Sequence, residues 1–394
     1  MFYLCYEYPV VTQTFTEGEI AGLRARGLRF TAVACRRPSS GRSAGDVLYL
    51  PGPLSRPVTS AFARAARDRP ATFRRLLRSV AGARYRDEAG RCWLRGFLQV
   101  AWGAWLAQRA GGPSHFHAQF LDAASTVAFV AAGLCGGTFS FTNHTAYNPY
   151  LPREKLTAAR FAVSISEFDR RMLTRLCGGN GARRIRVIYQ GIDTATWRVP
   201  RGVPPAGDPV RVLSVGALRE KKGHGVLLEA LARLASAGMA FRATIVGEGP
   251  ERRMLESQIR DRGFGASVNL AGAEEPAVIR SRLAESDLFV LASRRAKNGD
   301  LDGIPISIME AMAAGVPVVS TRLSGIPELV RDGVEGRLAP PGDAVALSAR
   351  IREALGDRAA SEEMARRGRE KVVRQHERRQ SVAQLDAALR EAAR

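Results

Sequence analysis

From residue 209 onward, short apolar runs alternate with segments of helical spacing. The run VRVLSV, within 209–215, stops at Gly216, and apolar residues then recur at helical spacing over 226–234. A second run, 243–246, stops at Gly247, and 251–262 is amphipathic. Runs at 268–270, 287–291 and 316–320 are interleaved with helical stretches at 277–284 and 305–314. Strand–helix pairs of this length predict a parallel sheet covered on both faces. Ligands of such sheets bind beyond the carboxyl ends of the strands.

The first half repeats the pattern less cleanly. Strands are expected at 1–6, 30–35, 115–118, 138–141, 161–164 and 186–189, and a helix at 17–26 closed by Gly27. Residues 55–110 are Arg-rich and helical in spacing. Segment 123–142 carries no charge and is long enough to cross a bilayer. Gly133, Gly136 and Gly137 interrupt it, so a buried helix followed by a buried strand is expected, not a transmembrane span. Residues 1–10 lack the basic start and apolar stretch of a signal peptide. The Pro- and Gly-rich stretch 198–208 reads as a linker. The fold class is therefore α/β, with domains at 1–198 and 209–377.

Charge changes the picture in one half only. Residues 1–200 hold 28 Lys and Arg against 12 Asp and Glu, and residues 201–394 hold 31 against 26. The first half should meet an anionic partner, and phosphates, anionic lipid and nucleic acid all fit. Nearly every basic residue is Arg, so a compositional bias of the genome accounts for part of the total. The five cysteines, Cys5, Cys35, Cys92, Cys135 and Cys177, are widely spaced and form no CxxC. They read as free thiols in a reducing cytoplasm, with no zinc or iron–sulfur spacing.

The densest chemistry lies in 291–330, LASRRAKNGDLDGIPISIMEAMAAGVPVVSTRLSGIPELV. A strand ends near Leu291, a polar loop follows, and Asp302, Gly303, Ile304 and Pro305 open a helix carrying Glu310. Pro305 suits a first helical turn. Free N–H groups at a helix start can donate to sugar hydroxyls or phosphate oxygens. A carboxylate accepts paired hydrogen bonds from a diol, as in a ribose. Asp302 and Glu310 are eight residues apart and can serve two parts of one extended ligand, though not one metal ion. Taken singly, each has a plainer reading as a helix cap or a solvated acid.

This segment resembles the E-x7-E signature of retaining glycosyltransferases of family 4, which have the GT-B fold: two Rossmann-like domains with parallel sheets facing a central cleft. Its Gly-Ile-Pro helix opening is most similar to the colanic-acid type of exopolysaccharide glycosyltransferase. The resemblance implies that Glu310 binds the nucleotide ribose and that Asp302, an Asp where the family has Glu, contacts the donor sugar. SVGALREKKG, 214–223, resembles the donor-domain loop whose Arg and Lys clamp the diphosphate. Lys222 falls on the Lys position; Ala217 occupies the usual Arg position, and Arg219 is the nearest substitute. VGEGP, 246–250, resembles the next turn, where Gly247 admits close approach of backbone to ligand. VIYQGID, 187–193, resembles the end of the N-terminal domain. YPVVTQTFTEGEI, 8–20, resembles the subgroup's opening, with Thr12 and Thr14 facing diphosphate or acceptor, or simply capping a helix. SFTNHTAYNPY, 140–150, resembles the strand end whose His faces the donor sugar; this maps to His144, with Asn148 the nearest polar residue after it. His115 and His117 read as structural. The resemblance is poor at about 40–110. It further implies that a helix at about 378–394 packs back on the N-terminal domain.

The reading is a metal-independent, retaining transferase. It would move a hexose-type sugar from a nucleotide diphosphate-sugar on the C-terminal domain to a saccharide acceptor on the N-terminal domain, in exopolysaccharide or related glycan synthesis, with no cofactor and no nucleic acid. Two alternatives stay open. One is another enzyme on the same scaffold, such as an epimerase or a natural-product glycosyltransferase with a small soluble acceptor. The other, resting on charge alone, is a basic nucleic-acid binder without recognisable motifs. Residues 61–110 leave a further choice. Arg74, Arg75 and Arg78 lie at helical spacing beside Phe73, Leu76 and Leu77, with Trp93, Phe97, Trp102 and Trp105 following. Either these form a basic amphipathic surface docking on an anionic membrane at its inner face, toward a lipid-linked acceptor, or the aromatics are core and the arginines solvated.

Overall fold

The computed structural model describes residues 1–9, 14–38, 45–81, 92–144, 151–179, 181–200 and 209–394. The chain forms two compact units, Met1–Tyr189 with Ser381–Arg394, and Gln190–Gln380. The first unit begins β1 (Phe2–Glu7), α1 (Thr14–Ala25), β2 (Thr31–Arg36), β3 (Val47–Tyr49), α2 (Arg56–Asp68), α3 (Pro70–Ala81) and α4 (Cys92–Ala110). It continues β4 (His115–Gln119), α5 (Ala123–Cys135), β5 (Thr138–Asn143), α6 (Pro152–Ala158), β6 (Phe161–Ser164), α7 (Glu167–Leu176) and β7 (Ile185–Val187). Its seven strands are all parallel in the order β3-β2-β1-β4-β5-β6-β7.

Strand alternation sends β1 to two cores. Leu4 joins Phe73 and Leu76 of α3, Val100 and Leu106 of α4 and Val127 of α5. Tyr3 and Cys5 point the other way, to Ile20 and Leu23 of α1. The uncharged segment is α5 followed by β5. Asp122 caps α5 by accepting from Ala124 N at 2.9 Å, and Gly136 ends it at φ 72°. A helix apolar all round is a buried one, and ten of its residues are buried. No described helix is long and apolar enough to cross a membrane.

The second unit holds β8 (Val210–Val215), α8 (His224–Ser236), β9 (Phe241–Val246), α9 (Arg252–Asp261), β10 (Val268–Gly272), α10 (Pro276–Glu285) and β11 (Leu288–Val290). There follow α11 (Ile306–Ala313), β12 (Val318–Thr321), α12 (Ile326–Leu329), β13 (Arg337–Ala339), α13 (Ala344–Gly356) and α14 (Arg358–Gln375), and the chain closes with α15 (Arg378–Ala393). The six strands are parallel, ordered β10-β9-β8-β11-β12-β13. Val382, Leu385 and Leu389 of α15 are buried with Tyr3, Ile20 and Leu23 in the first unit.

The helix expected at 305–314 starts one residue late, because Pro305 takes an extended ψ of 124° and caps it. Strands β3 and β13 and helix α12 are three or four residues long, too short to show a period. The linker read at 198–208 lies almost wholly outside the described residues.

Candidate functional site

Each sheet reverses its strand order beside its first strand, between β1 and β4 and between β8 and β11. A doubly wound sheet opens its binding crevice there, at the carboxyl edge.

In the second unit the turns after β8 and β9 interlock. Gly247 has φ 149°, and a Cβ on it would lie 2.0 Å from the Gly216 carbonyl oxygen. Leu218 N donates to Glu248 O at 2.9 Å, and Glu251 N to Leu218 O at 3.0 Å. His224 is buried beneath this loop, with Nε2 3.2 Å from Gly216 O and Nδ1 3.5 Å from Ser214 Oγ. Burial pushes its pKa down to about 4, so the neutral ring donates to Gly216 and fixes the loop. Gly223, at φ 69°, abuts the end of β11: a Cβ there would lie 1.9 Å from Ala292 O.

The loop after β11 is tied to the same turn by charge. Lys222 Nζ is 2.9 Å from Asp302 Oδ2, and Lys221 Nζ is 3.1 Å from Asp300. Ser293 Oγ also donates to Asp302 Oδ2, at 3.2 Å. Arg294 N donates to Lys221 O at 2.9 Å and Lys297 N to Glu220 Oε2 at 3.0 Å. Arg219 is exposed, and its carbonyl accepts from Lys222 N at 2.9 Å. The structure thus brings Lys222 and Asp302 into contact, with Arg219 on the rim of the same turn.

Behind Asp302 the chain enters α11. Ser324, held at φ 49°, sets its hydroxyl against the carbonyls of Asp302 and Gly303. This fastens the backbone from behind, while the N–H groups of Gly303, Ile304, Ile306 and Ser307 meet no acceptor among the described residues. One turn further, burial lifts the Glu310 carboxyl to about 8. No hydrogen bond or ion pair from a described residue reaches it. A half-buried acid without donors beside a row of unused N–H groups has the hydrogen-bonding capacity to receive a ligand with hydroxyls.

In the first unit His144 follows β5, buried between Phe15 (ring centroids 4.8 Å apart) and Phe120 (4.4 Å). Its Nε2 hydrogen-bonds Gln119 Oε1. Gln119 Nε2 donates to Glu19 Oε1 at 2.6 Å and contacts the Tyr3 hydroxyl, which itself donates to Glu19. Burial lifts Glu19 to about 7. His115 and His117 bond the hydroxyls of Thr138, Ser140 and Thr142 along the sheet. Burial holds both rings neutral, His115 at about 4. Thr12 and Asn148 lie outside the described residues; Thr14 opens α1, and its side chain is likewise outside them.

The Arg-rich stretch divides. Arg74, Arg75 and Arg78 are exposed. Phe73 and Leu76 are core residues, Trp102 and Trp105 pack against that core, and Trp102 Nε1 donates to Pro51 O at 2.8 Å. Phe97 is exposed and the side chain of Trp93 lies outside the described residues, so the apolar face is spent on the fold only in part. Among the described residues no three His, Cys, Asp or Glu side chains are grouped to hold a metal.

The model of the glycosyl transferases group 1 family matches residues 197–371. Residues 197–371 are a glycosyltransferase group 1 domain. The colanic acid biosynthesis glycosyltransferase WcaL of Salmonella typhimurium is 40% identical over 191 residues, 48% of this chain and 47% of that relative. The amylovoran biosynthesis glycosyltransferase AmsK of Erwinia amylovora is 43% identical over 171 residues, 43% and 42% of the two chains. The chain thus aligns with about half the length of these relatives. Among solved structures, HepE of Anabaena in complex with UDP matches with TM-score 0.72 at 18% identity, covering 99% of this chain and 100% of that one. A sucrose-phosphate synthase of Thermosynechococcus elongatus gives 0.75 at 18%, covering 99% and 98%. The fold is that of the GT-B glycosyltransferases, two Rossmann-like units. Within the group 1 domain, sequence reasoning passed over His224, Lys221, Asp300 and Ser324. The KKGH and SGIP strings hold three of them, but only contacts reveal their work.

Proposed function

We propose that the chain is a glycosyltransferase of exopolysaccharide or related glycan synthesis. Its group 1 domain holds a nucleotide diphosphate-sugar, and a hexose-type sugar passes with retained configuration to a saccharide acceptor. Glu310 carries this reading: an unpartnered carboxyl just past four unused N–H groups suits a ribose diol. Lys222 and Arg219 serve the diphosphate, Asp302 the sugar, and His144 the sugar or its acceptor. The cations stabilise charge gathering on the leaving diphosphate without a metal ion. The leaving group takes the acceptor proton on the same face, so catalysis is positioning plus electrostatics. The names of WcaL and AmsK support the polysaccharide assignment, and the UDP complex of HepE supports the donor class. A lipid-linked acceptor would bring the basic face of α3 to an anionic membrane, by charge alone. Calorimetry tests the core of the proposal. Nucleoside diphosphate should bind, and Glu310→Ala should cost roughly 2–4 kcal/mol of that binding with the fold intact. Unchanged affinity would remove the assignment.

A further inference from the structure

We propose that a groove at the amino edge of the first sheet binds a phosphate ester, with four arginines for the phosphate and an apolar floor for the group it carries. The groove has a volume of about 910 Å3 and draws on α3, α5, α6 and the chain just ahead of β5, β6 and β7. His144 follows the other end of β5. Six residues at about 3.3 Å each set the groove about 20 Å from that histidine, so it is not part of the candidate site. The proposal concerns binding alone and stands whether or not the chain transfers a sugar.

Arg75, Arg153, Arg160 and Arg184 line the groove, against one acid, Glu154. No ion pair joins any of the four to a carboxylate among the described residues. Backbone carbonyls hold two of them ready. Arg184 Nη1 donates to Ala159 O at 2.8 Å and to Thr157 O, and Arg153 Nε donates to Leu176 O at 3.2 Å. A carbonyl orients a guanidinium without neutralising it, and each fork keeps further N–H groups. The β6–β7 register sets Ala162 opposite Ile185, so Arg160 and Arg184 stand side by side where those strands begin. The side chains of Arg75 and Arg160 make no hydrogen bond or ion pair with a described residue. Four like charges around one hollow repel each other, and a phosphate taking paired N–H bonds from the forks relieves that repulsion. Beneath them the floor is apolar. Leu76 and Phe139 are buried, and the half-buried Phe129 of α5 packs on Phe139 with ring centroids 5.6 Å apart. This floor adds apolar contact for an ester that a bare anion would leave unused. The ester is the headgroup of an anionic lipid or a soluble compound; both offer a phosphate beside an apolar group.

Phenylglyoxal labelling of the full chain, read arginine by arginine by peptide mass spectrometry, tests the site. Hexyl phosphate probes a soluble ester, with inorganic phosphate beside it to show what the apolar group adds. Phosphatidylcholine vesicles with and without phosphatidic acid probe a lipid headgroup. At least one ester should slow modification of Arg75 and Arg160 together severalfold, while Arg262, exposed in the second unit, reacts as before. Protection by hexyl phosphate points to a soluble ester, and protection by phosphatidic acid vesicles alone to a lipid. Arg160→Ala, which breaks no contact of the fold among the described residues, should raise the ester concentration needed to protect Arg75 roughly 10-fold. No protection by either ester would overturn the proposal. So would protection of Arg75 without Arg160, equal protection of Arg75 in Arg160→Ala, or protection by inorganic phosphate as strong as by hexyl phosphate.

Discussion

Lys222 Nζ lies 2.9 Å from Asp302 Oδ2, so the cation of the turn after β8 and the acid before α11 hold each other in place. Each side chain is largely shielded, at 15% and 10% exposure. The two should nevertheless differ when removed. Lys222→Met should lower nucleoside diphosphate affinity roughly 10–100-fold, the worth of one charge-assisted hydrogen bond. Asp302→Asn should leave that affinity within a few-fold and slow sugar transfer instead. Calorimetry with the diphosphate and turnover with the full donor separate them; equal loss of binding in both variants would contradict the division of roles.

Glu310 gives a pH dependence with a definite sign. Its folded carboxyl is lifted to about 8 by burial, above its ordinary value of 4.5. The native state then holds a proton that the unfolded chain releases, so stability falls as pH rises from about 4.5 to about 8. Glu310→Gln removes this term, and its melting temperature should gain on the native protein across that window and run parallel above it. A ribose diol requires the ionised form, so nucleotide binding near pH 6.5 should release a proton. Calorimetry in buffers of different ionisation enthalpy measures that release.

At Gly247 the neighbour decides the outcome. Gly247→Ala places a Cβ 2.0 Å from the Gly216 carbonyl and should cost about 3 kcal/mol through overpacking and backbone strain. Gly263, at φ 69°, has open space where its Cβ would stand. Alanine there should cost only roughly 1–2 kcal/mol of backbone strain. Denaturant titration of the two variants checks the order.

In the proposed mechanism Lys222, Arg219 and the free N–H groups at the start of α11 supply the positive field for the leaving diphosphate, so transfer should survive exhaustive chelation. Loss of all turnover in EDTA, restored by magnesium, would refute this.

Vesicle flotation addresses α3. Each arginine near an anionic surface adds about 1 kcal/mol. Binding should occur on anionic but not neutral vesicles, vanish at high salt, and weaken roughly 100-fold when Arg74, Arg75 and Arg78 become Ala. Binding to neutral vesicles would show that apolar insertion, not charge, is at work.

The legible part of this chain was whatever repeats or is spelled locally. The β8–β12 strands announce themselves as apolar runs stopped by glycine, and Asp302-Gly-Ile-Pro with Glu310 forms one continuous string. The Lys222–Asp302 pair could not be read, since 80 residues separate its members and only the β8–β11 adjacency joins them. Gln119 was invisible for the same reason: nothing in HFHAQF distinguishes an amide that relays between α1 and the end of β5. The aromatics of α3 and α4 looked equally fit for membrane or core, because periodicity shows that a face is apolar and not what covers it.

The burial of α15 has a consequence for how the protein comes off the ribosome. Val382, Leu385, Ala388 and Leu389 complete the core around Tyr3, Ile20 and Leu23, and Val382 lies 3.1 Å from where a Cβ on Gly22 would be. The opening strand is made first, yet the residues that seal it, from Val382 on, emerge only near the end of synthesis. The amino-terminal unit must therefore wait, one apolar face of its sheet unsealed, while the whole group 1 domain is synthesised and free to fold. In vivo yield should thus hinge on the chaperones that guard that face during elongation.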